Sequence, residues 1–378
     1  MTIGVALSGG GTRAAAFHLG VLRRLAAGGL LEEVSRVSTV SGGSIAAALV
    51  FGDSGDAWPS SRHYLDVLFP RLATLLTTTS LFNVSVVVAS PSQWPHVFTN
   101  RARIVANELQ KRWGVNGRLS DLPQKPEWII NATCFETGKN WRFSRLEMGD
   151  WMFGRHYSPP FLVSEAVAAS AAVPYVIGSL AFHLPSEGWF HIDRKTDEPK
   201  ARKHLDRHLV HLWDGGAYEN LGLEPLYKIE RGMIGCDYVL VSDASGPVPH
   251  PPRSAMRALS SGDLPSPRLF DITSDQIRSL RSRMFVDSLQ KGIAKGALFR
   301  MGNSVREIDI KAGRSRAAHD YDSFLADAEA SLALKYPTNL SAVPLWDFTR
   351  LARHGFELAE ATLSAYCPAL APRAAHWT

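Results

Sequence analysis

The sequence of 378 residues has little that would staple or anchor it. Its three cysteines, Cys134, Cys236 and Cys367, are scattered and form no Cys-x-x-Cys pair. That argues against a disulfide scaffold or a zinc ribbon as the source of stability. No run of about 18 apolar residues occurs, so no membrane-spanning helix is expected. The opening MTIGVALSGGG lacks a basic segment followed by a long apolar one, so no secretory signal is expected and a cytoplasmic location is. Internal repeats and long low-complexity tracts are missing. The Gly-Lys-Ser/Thr of a phosphate-binding P-loop is absent. So are the zinc-finger, homeodomain and RNA-recognition signatures, which leaves no case for a nucleic-acid partner.

What is present has an ordinary globular balance, with 45% hydrophobic and 20% charged residues, 30 Gly and 22 Pro. A chain of this length buries a sizeable core unaided. The net charge of +5 is unevenly spread. From Arg278 to Arg316 ten Lys and Arg face three acids, so that segment carries +7 and the rest of the chain −2. Such a stretch suits an anionic membrane surface, although most charge runs are solvated helix faces.

Strands and helices alternate along the chain, which argues for an α/β sheet. Residues 3–7 read as a strand, and the apolar positions Ala14, Phe17, Val21, Leu22 and Leu25 repeat at helical spacing until Gly28-Gly29. Residues 34–40 are a second strand, and residues 45–51 a short apolar helix. Further strands are expected at 128–135, 141–144, 209–213 and 238–242. Helices are expected at 100–113, at 164–172 and from about 274 to 300. Residues 82–94 read as a lid-like excursion whose Phe82, Trp94 and nearby Phe98 either line a cleft or pack in the core. Six Pro between Pro247 and Pro267 mark a surface loop.

Two strand–turn–helix corners, 33 residues apart from Gly11 to Ser44, are the sequence's most telling feature. The first is Ser8-Gly9-Gly10-Gly11-Thr12-Arg13. A triple Gly persists where a backbone turns tightly or approaches a ligand, and free amides at a helix start bind an anion. Gly9-x-Gly11-x-x-Ala14 also matches a dinucleotide fingerprint, but the acids Glu32 and Glu33 precede the second strand instead of ending it. The second corner, Gly42-Gly43-Ser44-Ile45-Ala46, resembles a nucleophile elbow, G-x-S-x-G, with Ala in the last place. Its alternative is an N-cap serine.

A serine needs a base to become a nucleophile. Asp214, at a strand end and followed by Gly215-Gly216, is the strongest later acid. A carboxylate of ordinary pKa is a weak base at neutral pH, so a Ser–Asp pair needs a desolvated Asp or a strong oxyanion site.

At these residues the chain resembles the patatin-like phospholipase family. Gly9-Gly10-Gly11-Thr12-Arg13 is similar to its GGGxR motif and Gly42–Ala46 to its GxSxG. Residues 169–174 (ASAAVP) are similar to its small-residue block, and Asp214-Gly215-Gly216 with Asn220 to its DGG…N. The likeness covers about residues 3–245. It implies a three-layer α/β/α sandwich with a mainly parallel sheet. It implies one hydrolase domain over 1–378, with a mostly helical C-terminal part after the Pro-rich loop. It implies a lipid acyl hydrolase of phospholipase A or lysophospholipase type that needs no cofactor or metal. Ser44 would be the nucleophile, Asp214 the base, and Gly9, Gly10 and Gly11 the oxyanion hole. Arg13, Gly43, Gly215 and Gly216 would meet substrate, with Arg13 steadying the loop or binding a lipid phosphate. The expected partners are a phospholipid or other acyl-ester lipid and, peripherally, an anionic membrane. No motif encodes an oligomeric state. The alternatives are a silent lipid-binding effector module and a soluble small-ester esterase.

His204, His208, His211 and Asp214 have the spacing of a helical metal site, but the apolar residues among them fit a strand that breaks such a face. His18 lies beside the apolar face of the first helix and reads as a satisfied buried histidine. His250, His319, His354 and His376 carry no motif.

Overall fold

Residues 3–7 (IGVAL) are all buried, as befits a strand covered on both faces. In the computed structural model, which describes residues 1–88, 94–193, 195–247, 265–314 and 318–377, this strand is central. In chain order the strands are β1 Ile3–Leu7, β2 Val34–Val40, β3 Glu127–Cys134, β4 Asn140–Phe143, β5 Glu147–Asp150, β6 Gly154–Tyr157, β7 Leu180–His183, β8 Trp189–Ile192, β9 Pro199–Arg202, β10 Leu209–Asp214, β11 Tyr227–Lys228, β12 Gly232–Met233, β13 Tyr238–Asp243 and β14 Gly296–Arg300. The helices that flank the sheet include α1 Gly11–Ala27, α2 Gly42–Asp53, α3 Val163–Ser170, α4 Pro265–Gln290, α5 Val305–Lys311 and α6 Leu345–Tyr366.

β14, β13, β1, β2 and β3 pair in parallel, and β4, β5, β6, β8 and β9 extend the same sheet antiparallel from β3. Strand alternation sends Ile3, Val5, Leu7 and Leu240 into the large core under α1, α2 and α6. It sends Ala6, Val239 and Val241 to the opposite face, against Phe285 of α4. The result is the three-layer α/β/α arrangement with a parallel centre that the family resemblance implies.

At β3 the sheet forks. β2 runs parallel to β3 as far as Val40 opposite Asn131, and β10 runs antiparallel to it as far as Asp214 opposite Ala132. The two strands therefore point at each other and stop on neighbouring positions of β3. Both deliver the turns at their carboxyl ends into one gap.

The C-terminal third differs from expectation. The helix ends at Gln290, where Gly292 adopts a left-handed φ of 69°, and residues 296–300 form an edge strand beside β13. Five residues are too few to reveal a strand amid helical spacing. α6 lies on α1 so closely that a Cβ on Gly20 would sit 1.8 Å from the Ala352 carbonyl oxygen, and one on Gly355 2.2 Å from that of Phe17. Arg24 and Glu360 pair within this contact. In the 82–94 region, residues 84–88 are a short helix and Phe82 bridges to Leu340. Residues 89–93, the Phe98 side chain, most of the Pro-rich loop (248–264, with His250) and the His319 side chain lie outside the description.

Candidate active site

The gap at the fork is filled by two corners. α1 starts directly after β1 and α2 directly after β2, so both helix N-termini meet at the carboxyl edge of the parallel strands. They are pressed together: a Cβ on Gly42 would lie 2.3 Å from the Gly11 carbonyl oxygen, and one on Gly43 2.2 Å from that of Leu7. Between β2 and α2 sits Ser41, with φ 48° and ψ −113°. A non-glycine residue holds such a conformation only when its surroundings force it, and strain of this kind defines an elbow.

Ser41 and Asp214 face each other in a cavity of about 260 Å³ that Gly9, Gly10, Arg13, Gly216 and Asn220 also line. Burial pushes the Asp214 carboxyl up to about 6, while the Ser41 side chain and the Gly216 amide, 2.7 Å from Oδ1, work against the shift by stabilising the anion. No histidine lines this cavity among the described residues.

Ser44 is elsewhere. It lies one turn into α2 with no exposure, and its hydroxyl stands 2.8 Å from both Thr39 Oγ1 and Ser170 Oγ. It neither lines the cavity nor reaches Asp214; the serine at the strained junction of β2 and α2, and the one in the cavity, is Ser41, one helical turn before it. Both serines match G-x-S-x-G imperfectly: Ser44 has Ala46 for the last Gly, and Ser41 has Thr39 for the first. The missed signal is that Ser41 immediately follows the apolar end of β2, where an elbow must lie. Ser170, from the small-residue block, ties the region together. Its Oγ donates to the Asn131 carbonyl at 2.6 Å and accepts the Ser41 amide at 2.9 Å.

The triple-glycine turn is also divided in its roles. The Gly9 amide donates to the Asn220 carbonyl at 3.0 Å, whereas the amides of Gly10, Gly11 and Gly42 donate to no protein acceptor among the described residues. Gly10 (φ 141°) and Gly11 (φ 63°) hold backbone conformations open to glycine. Gly43 and Gly215 are packing residues: the Gly43 amide donates to Ser8, and a Cβ on Gly215 would lie 2.5 Å from the Asn131 carbonyl oxygen. Neither lines the cavity, while Gly216 does.

Arg13 borders the cavity but is 3% exposed, and its guanidinium donates to the carbonyls of Tyr336 (2.8 Å), Ala244 (3.2 Å) and Leu334 (3.4 Å). Burial lowers it to about 10, still protonated at neutral pH. Its contacts fasten the glycine turn to the C-terminal third. The far wall is α4, where Phe270, Asp271, Ser274, Asp275 and Arg278 reach the cavity. Arg278 pairs with the buried Asp243 at 3.1 Å and with Asp275 at 2.7 Å. Arg281 pairs with Glu224 and Arg300 with Asp243. Much of the basic segment is thus bound within the protein instead of forming a free face.

His18 is fully buried and pushed down to about 4 by desolvation, hence neutral. Its Nε2 donates to the Ser8 carbonyl and its Nδ1 accepts from Ser242 Oγ, both at 2.8 Å. His211 pairs with Glu136 on the strand β10. Trp94 is half exposed, and neither it nor Phe82 reaches the cavity.

A strained serine between strand and helix, set against a buried carboxylate at the carboxyl edge of a parallel sheet, defines a hydrolase-like α/β architecture. Residues 5–227 match the model of the patatin-like phospholipase family, and the chain belongs to that family. Human GIVD cytosolic phospholipase A2 has a similar fold, with a TM-score of 0.56 at 16% identity over 98% of this chain and 63% of that one. The same enzyme in complex with methyl gamma-linolenyl fluorophosphonate gives 0.55 at 15% identity, over 98% and 59%. This chain spans less than two thirds of those proteins, and at such identities the likeness is one of fold. No curated protein sequence matches the chain.

Proposed function

We propose that the chain is a lipid acyl hydrolase in which Ser41 is the nucleophile and Asp214 its base. The observation that carries this is the meeting of Ser41 and Asp214 in a cavity lined by Gly10, whose amide, like those of the adjacent Gly11 and Gly42, donates to no protein acceptor among the described residues. Ser41 Oγ attacks the acyl carbonyl carbon while Asp214 takes the hydroxyl proton. The oxyanion is held by the amides of Gly10, Gly11 and Gly42, the last belonging to the residue after the nucleophile. Protonated Asp214 then returns its proton to the departing alcohol oxygen, leaving an acyl ester on Ser41. A water molecule attacks this ester as Asp214 takes its proton, and Asp214 passes that proton to the departing Ser41 Oγ as the fatty acid is released. An Asp raised to about 6 is better matched to this work at neutral pH than one of ordinary pKa.

The substrate in this reading is a phospholipid or another acyl-ester lipid, with peripheral contact to an anionic membrane through exposed basic residues of the 278–316 segment. The test measures fatty-acid release from mixed phospholipid vesicles, and labelling by a serine-reactive fluorophosphonate, for wild type, Ser41→Ala and Ser44→Ala. Release and labelling lost in Ser41→Ala and kept in Ser44→Ala supports the assignment. The reverse pattern overturns it. Hydrolysis of soluble short-chain esters with intact vesicles points to an esterase, and a wild type silent in every assay to a binding module. Vesicle binding that ignores both salt and anionic lipid removes the membrane contact.

A further inference from the structure

A cavity larger than the one at the fork lies at the outer edge of the sheet. It measures about 790 Å³, three times the space beside Ser41, and lies along β14 between α4, α5 and the end of α6. Leu289, Leu298, Ile308 and Pro368 give it apolar walls. Its charged lining is of one sign: Lys295, Arg300 and Lys311 border it and no acid does. Arg300 leans on Asp243 at 3.6 Å, but neither Lys295 nor Lys311 makes an ion pair among the described residues. Lys295 contributes, last among the causes, to holding down the carboxyl of the exposed Asp237, which does not line the groove.

An apolar trough of this size with two uncommitted ammonium groups lacks two things: an acyl-sized apolar body and an anion. A free inorganic anion would leave the walls wet, and a neutral lipid would leave the lysines without a partner. We infer that this groove is a second binding site, for a single-chain anionic amphiphile whose tail lies along β14 and whose head group pairs with Lys295 and Lys311. The head is a carboxylate or a phosphate, so a fatty acid and a lysophosphatidate share the required chemistry. The site shares no lining residue with the cavity beside Ser41 and does not depend on the hydrolytic reading.

The test uses the full chain carrying Ser41→Ala, so that no turnover intervenes, and titrates it with oleate, 1-oleoyl lysophosphatidate and the uncharged analogue oleyl alcohol. Saturable binding of an anionic ligand is expected, at least tenfold tighter than that of the alcohol. The pair Lys295→Gln/Lys311→Gln, both at exposed positions, should weaken the anionic ligands at least tenfold and the alcohol little. Tyr366→Glu, which puts a carboxylate at an exposed lining position, should do the same. Whichever of oleate and lysophosphatidate binds more tightly identifies the source of the head group. Equal affinity for charged and uncharged ligands overturns the inference, as does oleate binding unchanged in folded groove variants, which would place the ligand elsewhere. Absence of saturable binding also overturns it.

Discussion

At the scale of single residues, the site rests on which serine occupies the elbow. Ser41→Ala should lower vesicle hydrolysis on the order of 10³-fold or more, as expected for loss of a nucleophile. Ser44→Ala should stay within about tenfold of wild type and lose about 1–2 kcal/mol of stability, since it leaves Thr39 and Ser170 short of a buried partner. Denaturant midpoints measured beside the kinetics separate the two effects. Asp214 adds a pH signature. Its carboxyl is held up near 6, so activity should rise with pH through about 6 as the base ionises. Stability runs the other way, because a raised acid favours the folded state only while protonated. Between about pH 4 and 6 the unfolded chain ionises before the folded one, and wild type loses stability across that window. Asp214→Asn should therefore be inactive, match wild type below about pH 4, and be more stable above about pH 6 by roughly 2–3 kcal/mol. Melting curves of both proteins from pH 4 to 8 check the sign.

At the scale of elements, the site exists because two helices start at nearly the same point, which only glycine permits. Gly42→Ala would force a methyl group to 2.3 Å from the Gly11 carbonyl oxygen. It should destabilise the chain by several kcal/mol and abolish activity. Gly52→Ala, near the other end of α2 with nothing closer than 3.8 Å, should be neutral or stabilising by up to about 1 kcal/mol. Thermal unfolding of the two variants tests whether packing, and not helix propensity, sets the requirement. The corners were legible in the sequence because Gly runs between apolar strands and helical periods carry a backbone signal. The register of the second corner was not: with Thr39 or Ala46 each replacing one glycine, the pattern fits two serines one helical turn apart, and only in the packed chain do the strained φ of Ser41 and its place beside Asp214 separate them.

At the scale of the whole molecule, residues far beyond the matched span hold the glycine turn in place. Arg13 is clamped by the carbonyls of Leu334 and Tyr336, and the Thr12 amide donates to the Asn339 carbonyl at 2.9 Å. α6 closes over α1 through the Gly20 and Gly355 contacts. A chain ending at Ser304 keeps every motif residue but loses these partners. It should show no cooperative unfolding transition and no fluorophosphonate labelling, and a labelled, cooperatively folded fragment would refute the dependence.

The α/β class, the paired glycine corners and an acid at the end of a strand before Gly215-Gly216 were readable along the chain, because strand and helix periods, Gly runs and an Asp-Gly-Gly are local and leave local marks. The tertiary structure alone decided which serine faces that acid, which glycine amides stay free, and that β14 turns a supposed helix end into a sheet edge. Those facts depend on β2 and β10 meeting end to end on β3. They also depend on carbonyls reaching the glycine turn from more than 300 residues away along the chain. A contact between distant segments leaves no period or spacing in either one, so it is settled only when the chain has packed.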